Sequence, residues 1–133
     1  MKIVVDTSAL IAIIRSEVEA AAFVEVLGAA DEALICTATL LEAALVTAGK
    51  GDEPLRMKRL IQQMNLRSVS FTPEEAEIGA DAFRSYGRGS GHPAKLNFGD
   101  CFAYALAKTR NLPLLFKGDD FIHTDIVPAL PPA

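Results

Sequence analysis

The sequence predicts an α/β domain with a central, mostly parallel sheet of four to five short strands and helices on both faces. Short apolar runs at 3–5, 33–36, 68–71 and 112–116 recur at roughly 30-residue intervals, and helical patterns fill the spaces between them, as in parallel sheets. The first run, Ile3-Val4-Val5, is apolar without alternation, as in a strand covered on both faces. The chain of 133 residues is long enough to bury one real core, so it reads as a single domain over 1–133.

Each element has a local reason. Thr7 and Ser8 follow the first strand and lead into a helical run at 9–14. A second helix spans 17–27, with Ala20, Phe23, Val24 and Leu27 at helical spacing and Gly28 as its stop. Thr37 or Thr39 can cap a third helix over 38–48, apolar almost all round and therefore expected to be buried. Gly49 and Gly51 end it. Asp52 can cap a fourth helix, which carries Pro54 in its first turn and Met57, Leu60, Ile61 and Met64 on one face. The cations Arg56, Lys58 and Arg59 fall on its other sides and read as a solvated surface. Thr72-Pro73-Glu74-Glu75 starts a fifth helix, with Thr72 as N-cap, Pro73 at the first position and Glu75 placed for a capping box. Glu74, Glu75 and Glu77 are accounted for by the helix dipole and solvent. Residues 86–96 form the one long loop, with Gly87, Gly89 and Gly91 alternating. Asn97 caps the last helix, 97–107, whose core face is expected to hold Phe98, Phe102, Ala105 and Leu106. The fourth strand, 112–116, leads into KGDDFIHTDIV. No role is assigned to the proline-rich tail PALPPA.

Bulk composition narrows the function. Half of the residues are hydrophobic and 23% are charged, so the chain is globular rather than disordered. No apolar run approaches the roughly 20 residues that a membrane helix needs, and no leader pattern is present. Cys36 and Cys101 lack metal-finger spacing and read as reduced core thiols of a cytoplasmic protein. A net charge of −4 and a pI near 5.1 argue against gripping nucleic acid by bulk charge. They leave room for an acidic site that meets phosphate through a cation.

Three isolated carboxylates carry the chemistry. Asp6 is the only charged side chain between Lys2 and Arg15, Glu42 the only one between Glu32 and Lys50, and Asp100 sits in the first turn of the last helix. Each has a structural alternative: Asp6 as a helix N-cap, Glu42 reaching solvent through a gap, Asp100 as the acid of a capping box. Asp119 and Asp120 follow the fourth strand, where one can close an Asx turn and free the other for a site. The crevice of a parallel α/β sheet lies outside the carboxyl ends of its strands, and all these acids can converge there. Crowded carboxylates repel and take up protons unless cations intervene. All-oxygen ligation selects hard ions, Mg²⁺ or Mn²⁺ over Zn²⁺, and such ions serve in-line phosphoester displacement. Arg88, His92 and Lys95 of the glycine-rich loop are candidate phosphate contacts; as a connector, the loop needs none of them.

The segments VVDTSAL, TLLEAAL, NFGDCFAYALA and LLFKGDDFIHTDI, in this order and spacing, resemble those of PIN-domain ribonucleases, and more narrowly the VapC-type toxins of toxin–antitoxin pairs. The resemblance spans residues 3–127. It implies a PIN-like fold and a Mg²⁺-dependent endoribonuclease, with Mn²⁺ able to substitute, cutting structured RNA such as transfer or ribosomal RNA by metal-activated water. It also implies a homodimer held off by a cognate VapB-like antitoxin. Carried over by motif, Asp6 and Asp100 match the main metal ligands and Glu42 the third acid. Asp119 matches the variable fourth, with Asp120 bracing the turn. Thr7 and Ser8 match a hydroxyl pair, and Arg88 and Lys95 are placed to hold the RNA backbone. The alternatives are a catalytically silent PIN-like binding module and a metal-dependent phosphatase or DNA nuclease using the same acids. A haloacid-dehalogenase-like phosphatase would need a second Asp two residues after Asp6, where Ser8 stands.

Overall fold

A computed structural model describes residues 1–131. Its core is a four-stranded, all-parallel sheet in the order β3-β2-β1-β4, formed by β1 (Lys2–Val5), β2 (Glu32–Cys36), β3 (Arg67–Val69) and β4 (Leu114–Leu115). β1 pairs with β2 through Ile3–Ala33 and with β4 through Val4–Leu114. Strand periodicity sorts the side chains. Ile3 and Val5 point into one apolar cluster together with Ala9, Leu10, Phe23, Leu27 and Met57. Val4 points the other way, into a second cluster with Ala82, Leu96, Tyr104 and Leu106. A strand without polar alternation is thus covered on both faces.

The helices are α1 (Thr7–Ile14), α2 (Ala20–Ala29), α3 (Thr37–Thr47), α4 (Glu53–Gln63), α5 (Pro73–Tyr86) and α6 (Phe98–Arg110). The first four contribute to the cluster under Ile3 and Val5, while α5 and α6 cover the opposite face. β1 therefore has β2 on one side and β4, reached through the far layer, on the other. The point between β1 and β4 is where the connections diverge, and in such sheets a crevice opens there at the carboxyl ends.

Several local expectations need correction. Gly28 does not end α2, which runs on to Ala29. Neither Thr37 nor Thr39 caps α3: Cys36 stands at the N-cap, and the Thr37 hydroxyl accepts from the Phe71 backbone N–H at 3.2 Å instead. α3 is not buried all round. Its core side is the small-residue row Thr39, Ala43 and Thr47, while Leu41 and Leu45 are 60% and 67% exposed. Phe98, expected in the core, is 78% exposed; α6 turns Ala103, Tyr104 and Ala107 inward with Leu106. Glu75 is buried rather than solvated, its Oε1 without a partner. Cys101 is half-buried, while Cys36 is buried; both are free thiols.

The loop at 86–96 is built rather than loose. The Arg88 N–H donates to Leu96 O at 2.8 Å and the Leu96 N–H to Tyr86 O at 2.9 Å. Ala94 and Leu96 are fully buried. The fourth strand shrinks to two residues, but its edge is closed: the Leu114 N–H donates to Val127 O and the Ala129 N–H to Leu114 O. Part of the tail thus covers the sheet edge; residues 132 and 133 lie outside the described residues.

Candidate active site

β1 ends at Val5, and Asp6 becomes the N-cap of α1 in extended conformation. Its backbone N–H is held by Leu115 O at 3.0 Å, which fixes it at the junction of β1 and β4. One carboxylate oxygen is fully engaged: Oδ2 accepts from the Ser8 N–H at 3.1 Å and from Ser8 Oγ at 2.6 Å. The same hydroxyl accepts from the Lys117 N–H at 3.0 Å. Ser8 therefore couples Asp6 to the chain leaving β4. The other oxygen, Oδ1, is buried and has no hydrogen-bond partner. Asp6 is 3% exposed, and desolvation, against the lowering effect of the Ser8 bonds, pushes its pKa up to about 6, with the Glu42 charge adding to the rise.

The second acid comes from α3. Thr7 Oγ1, in the first turn of α1, donates to Glu42 Oε1 at 2.6 Å, so the carboxylate turns inward rather than out to water. On its other side lies Gly99 of α6, whose Cα hydrogen occupies a spot where a Cβ would collide with the Glu42 carboxylate. The third acid opens α6. Asn97 and Asp100 form a reciprocal capping box: the Asp100 N–H donates to Asn97 Oδ1 at 2.9 Å and the Asn97 N–H to Asp100 Oδ2 at 3.0 Å. The capping role and a site role coexist, because the box engages only one oxygen. Burial raises the Asp100 pKa to about 7; the Asn97 bond opposes this, and the charges of Asp6, Asp120 and Glu42 reinforce it.

Of the two adjacent acids after β4, Asp120 is the one whose charge is felt at Asp100. Gly118, at φ 101°, turns the chain after β4. Phe121 is buried to 2% exposure and anchors a 3₁₀ turn, Phe121–His123, that follows Asp120. Asp119 is exposed and borders a different hollow, with Glu19, Lys117 and Ile122. Arg88 and Lys95 are exposed, and among the described residues neither forms an ion pair with an acid. His92 packs edge-on against Tyr86 with ring centroids 4.9 Å apart, and its Nδ1 accepts from the Ala94 N–H; it braces the loop. Gly99 and Lys117 were missed, although the glycine directly before Asp100, in a helix's first turn where alanine is the better former, is a visible oddity.

Over residues 3–127 the chain matches the family model of the PIN domain. The chain belongs to the PIN-domain family. Among its relatives, Ribonuclease VapC28 of Mycobacterium tuberculosis is 43% identical over 129 residues, covering 96% of this chain and 97% of the relative. Ribonuclease VapC30 of the same species is 42% identical over 125 residues, covering 92% and 95%. The sarcin-ricin loop cleaving toxin VapC20 of Mycobacterium tuberculosis superimposes with a TM-score of 0.72 at 14% identity, covering 98% of this chain and 99% of that one. A chain of a toxin–antitoxin complex from Klebsiella pneumoniae gives 0.70 at 22% identity, covering 96% and 97%. These two likenesses confirm the PIN fold, with its parallel sheet layered by helices.

The donor set of this PIN domain fits a hard divalent cation. Among the described residues no three acids stand close enough to form a closed cage. Mg²⁺ does not ask for one: it keeps several waters and is commonly held by one or two carboxylates. The buried, unpartnered Oδ1 of Asp6 and the raised pKa of Asp100 are what such an ion relieves. No His or Cys is available for softer coordination: Cys101, beside Asp100, has a thiol pushed up to about 11, chiefly by burial. A separate apolar groove of about 480 Å³ runs between α5 and α6, walled by Phe71, Gly79, Phe83, Phe98 and Phe102; no acid lines it.

Proposed function

We propose that this protein is a metal-dependent endoribonuclease toxin of the VapC type, hydrolysing phosphodiester bonds of structured RNA. The observation that carries the reading is Asp6: a buried carboxylate with one oxygen locked by Ser8 and the other unpartnered, facing the charges of Glu42 and Asp100. The relatives named ribonucleases, at up to 43% identity over nearly the whole chain, support the substrate class.

Asp6 and Asp100 would hold a divalent cation, Mg²⁺ or Mn²⁺, and Glu42 and Asp120, whose charges are felt at Asp100, would orient a water. When bound, such a cation supplies Lewis acidity and a nucleophile at neutral pH. The residues of the chain do the rest. Ser8 keeps Asp6 Oδ2 fixed, so that Oδ1 alone is presented. Thr7 holds Glu42 Oε1, and the capping box holds Asp100 Oδ2; three acids from three helices are thereby oriented before any ligand arrives, as electrostatic preorganisation requires. Arg88 and Lys95, exposed on the braced loop, would contact the RNA backbone without reading its sequence.

The reading includes a VapB-like antitoxin and a homodimer. The VapBC complexes among the structural neighbours support the first. The exposed Leu41, Leu45 and Phe98 support a protein cover of some kind, since apolar side chains of this size cost free energy in water. Among the described residues no helix is long and apolar enough to cross a membrane. The free thiols suit a reducing compartment such as the cytoplasm, where the reading puts the protein.

Incubating the purified protein with transfer RNA, ribosomal RNA, single-stranded DNA and a phosphomonoester, each with and without Mg²⁺ or Mn²⁺, tests the function. RNA cleavage that needs the cation and is lost in Asp6→Asn supports it. Cleavage of the phosphomonoester or of DNA alone, or RNA cleavage undiminished in Asp6→Asn, would overturn it.

A further inference from the structure

We propose that Gly99 is a positioning residue for Glu42: its missing side chain is the space in which the Glu42 carboxylate sits. The inference rests on the nuclease reading for what Glu42 does, though not for the contact itself. A Cβ built on Gly99 would overlap Glu42 Oε2, with Oε1 and Cδ also in reach. The three heavy atoms nearest to that point all belong to Glu42. Gly99 is buried in the first turn of α6, and its φ lies outside the left-handed region, so the backbone does not require glycine there. Helix propensity alone would favour alanine. What requires glycine is the carboxylate of another helix.

The contact completes a clamp. Thr7 Oγ1 donates to Glu42 Oε1 from α1, while the bare Cα of Gly99 admits Oε2 from the α6 side. Glu42 is thus held between the two helices whose first turns present Asp6 and Asp100. A methyl group at position 99 would meet the far end of a flexible side chain, not backbone, so the fold should survive and the carboxylate should move. A carboxylate squeezed out of the space between Gly99 and Thr7 cannot keep the 2.6 Å bond to Thr7, and the charge of Glu42 shifts relative to Asp6 and Asp100, both of which feel it.

The test uses Gly99→Ala, Glu42→Ala and the double variant in the full-length protein, with three measurements: RNA cleavage kinetics, Mn²⁺ affinity by calorimetry, and a crystal structure of Gly99→Ala. The expected result is a folded Gly99→Ala protein with kcat lowered about 10- to 100-fold, as misplacement of a site group by an ångström costs, and KM little changed. In the Glu42→Ala background, where the methyl has room, Gly99→Ala should cost nothing further in kcat or Mn²⁺ affinity. The crystal structure should show the Glu42 carboxylate displaced and Thr7 unbonded to it. Wild-type kcat in Gly99→Ala beside a crippled Glu42→Ala would overturn the proposal, as would an equal loss from Gly99→Ala in both backgrounds. If Glu42→Ala cleaves RNA as the wild type does, the catalytic meaning of Glu42 falls; the crystal structure then decides the contact alone, and an unmoved carboxylate ends it.

Discussion

Thr7 and Glu42, 35 positions apart in the chain, meet through a 2.6 Å hydrogen bond from the threonine hydroxyl to Oε1 of the glutamate. The bond joins the helix after β1 to the helix after β2, directly above the strand ends. It explains how an acid in the middle of an apolar helix points inward although its neighbours Leu41 and Leu45 face solvent. Thr7→Val keeps the shape and removes the donor. A hydrogen bond to a charged group contributes about 1.5–3 kcal/mol, and thermal denaturation should register a loss of that order. RNA cleavage should fall with it, and Thr7→Ser should restore both.

The two central acids make the cation-free protein less stable as pH rises. Asp6 and Asp100 titrate near 6 and 7 in the fold, against about 3.8 unfolded. The native state therefore binds more protons than the unfolded chain between pH 4 and 7, and stability declines through that window. Below pH 4 both states are protonated, and above pH 7 both are ionised, so the curve flattens at each end. One pKa unit corresponds to about 1.4 kcal/mol, so the total drop should reach roughly 7 kcal/mol. Asp100→Asn should flatten most of it. Urea denaturation with EDTA at stepped pH checks this.

Cation binding should reverse that penalty. A ligand that binds only the folded state stabilises it by mass action, so millimolar Mn²⁺ should raise the melting temperature of the wild type at pH 7.5. Asp6→Asn should melt higher than the wild type in EDTA, because a buried charge is gone, and should gain nothing from Mn²⁺. Differential scanning calorimetry with and without the ion separates the two effects.

Asp119 and Asp120 should part company. Asp120 acts on Asp100 through its charge, whereas Asp119 borders another hollow. Asp120→Asn should lower the pKa of Asp100 and reduce cleavage by tenfold or more, an effect of roughly 1.4 kcal/mol or above on the barrier. Asp119→Asn should cleave within twofold of the wild type. Steady-state rates over pH 5.5–8.5 distinguish the variants.

Ser8 ties Asp6 to β4 through the Lys117 amide. Ser8→Ala removes a donor that favours the ionised carboxylate, so the Asp6 pKa should rise further and the acid limb of the pH–rate profile should move to higher pH. It also leaves the Lys117 N–H unpaired, which costs about 1–3 kcal/mol. The pH dependence of kcat/KM together with a melting curve checks both effects.

The parts of this fold written in short-range chemistry were legible in the chain. The run Ile3-Val4-Val5, the Thr72-Pro73 helix start and the Asn97–Asp100 capping box were each read from a few adjacent residues, and each stands in the structure. What escaped depends on distant partners. Phe98 has the spacing of a core residue, but α6 packs against α5 at Gly79, where an added Cβ would meet Cys101 and Ala105, and Phe98 faces out. Glu75 reads as a solvated first-turn acid, yet the fold buries it. Which way Asp119 and Asp120 face follows from the turn at Gly118 and the burial of Phe121, which adjacent acids alone cannot disclose. The glycine-rich loop reads as a connector because its closure rests on backbone bonds between its ends.

The most direct test of the central claim is anomalous scattering from crystals of the wild-type protein soaked in millimolar Mn²⁺. The account predicts a manganese peak within coordination distance of Asp6 Oδ1 and an oxygen of Asp100, absent in Asp6→Asn crystals soaked in the same way. Strong peaks elsewhere with none at Asp6, in a protein that cleaves RNA equally well in EDTA, would contradict it.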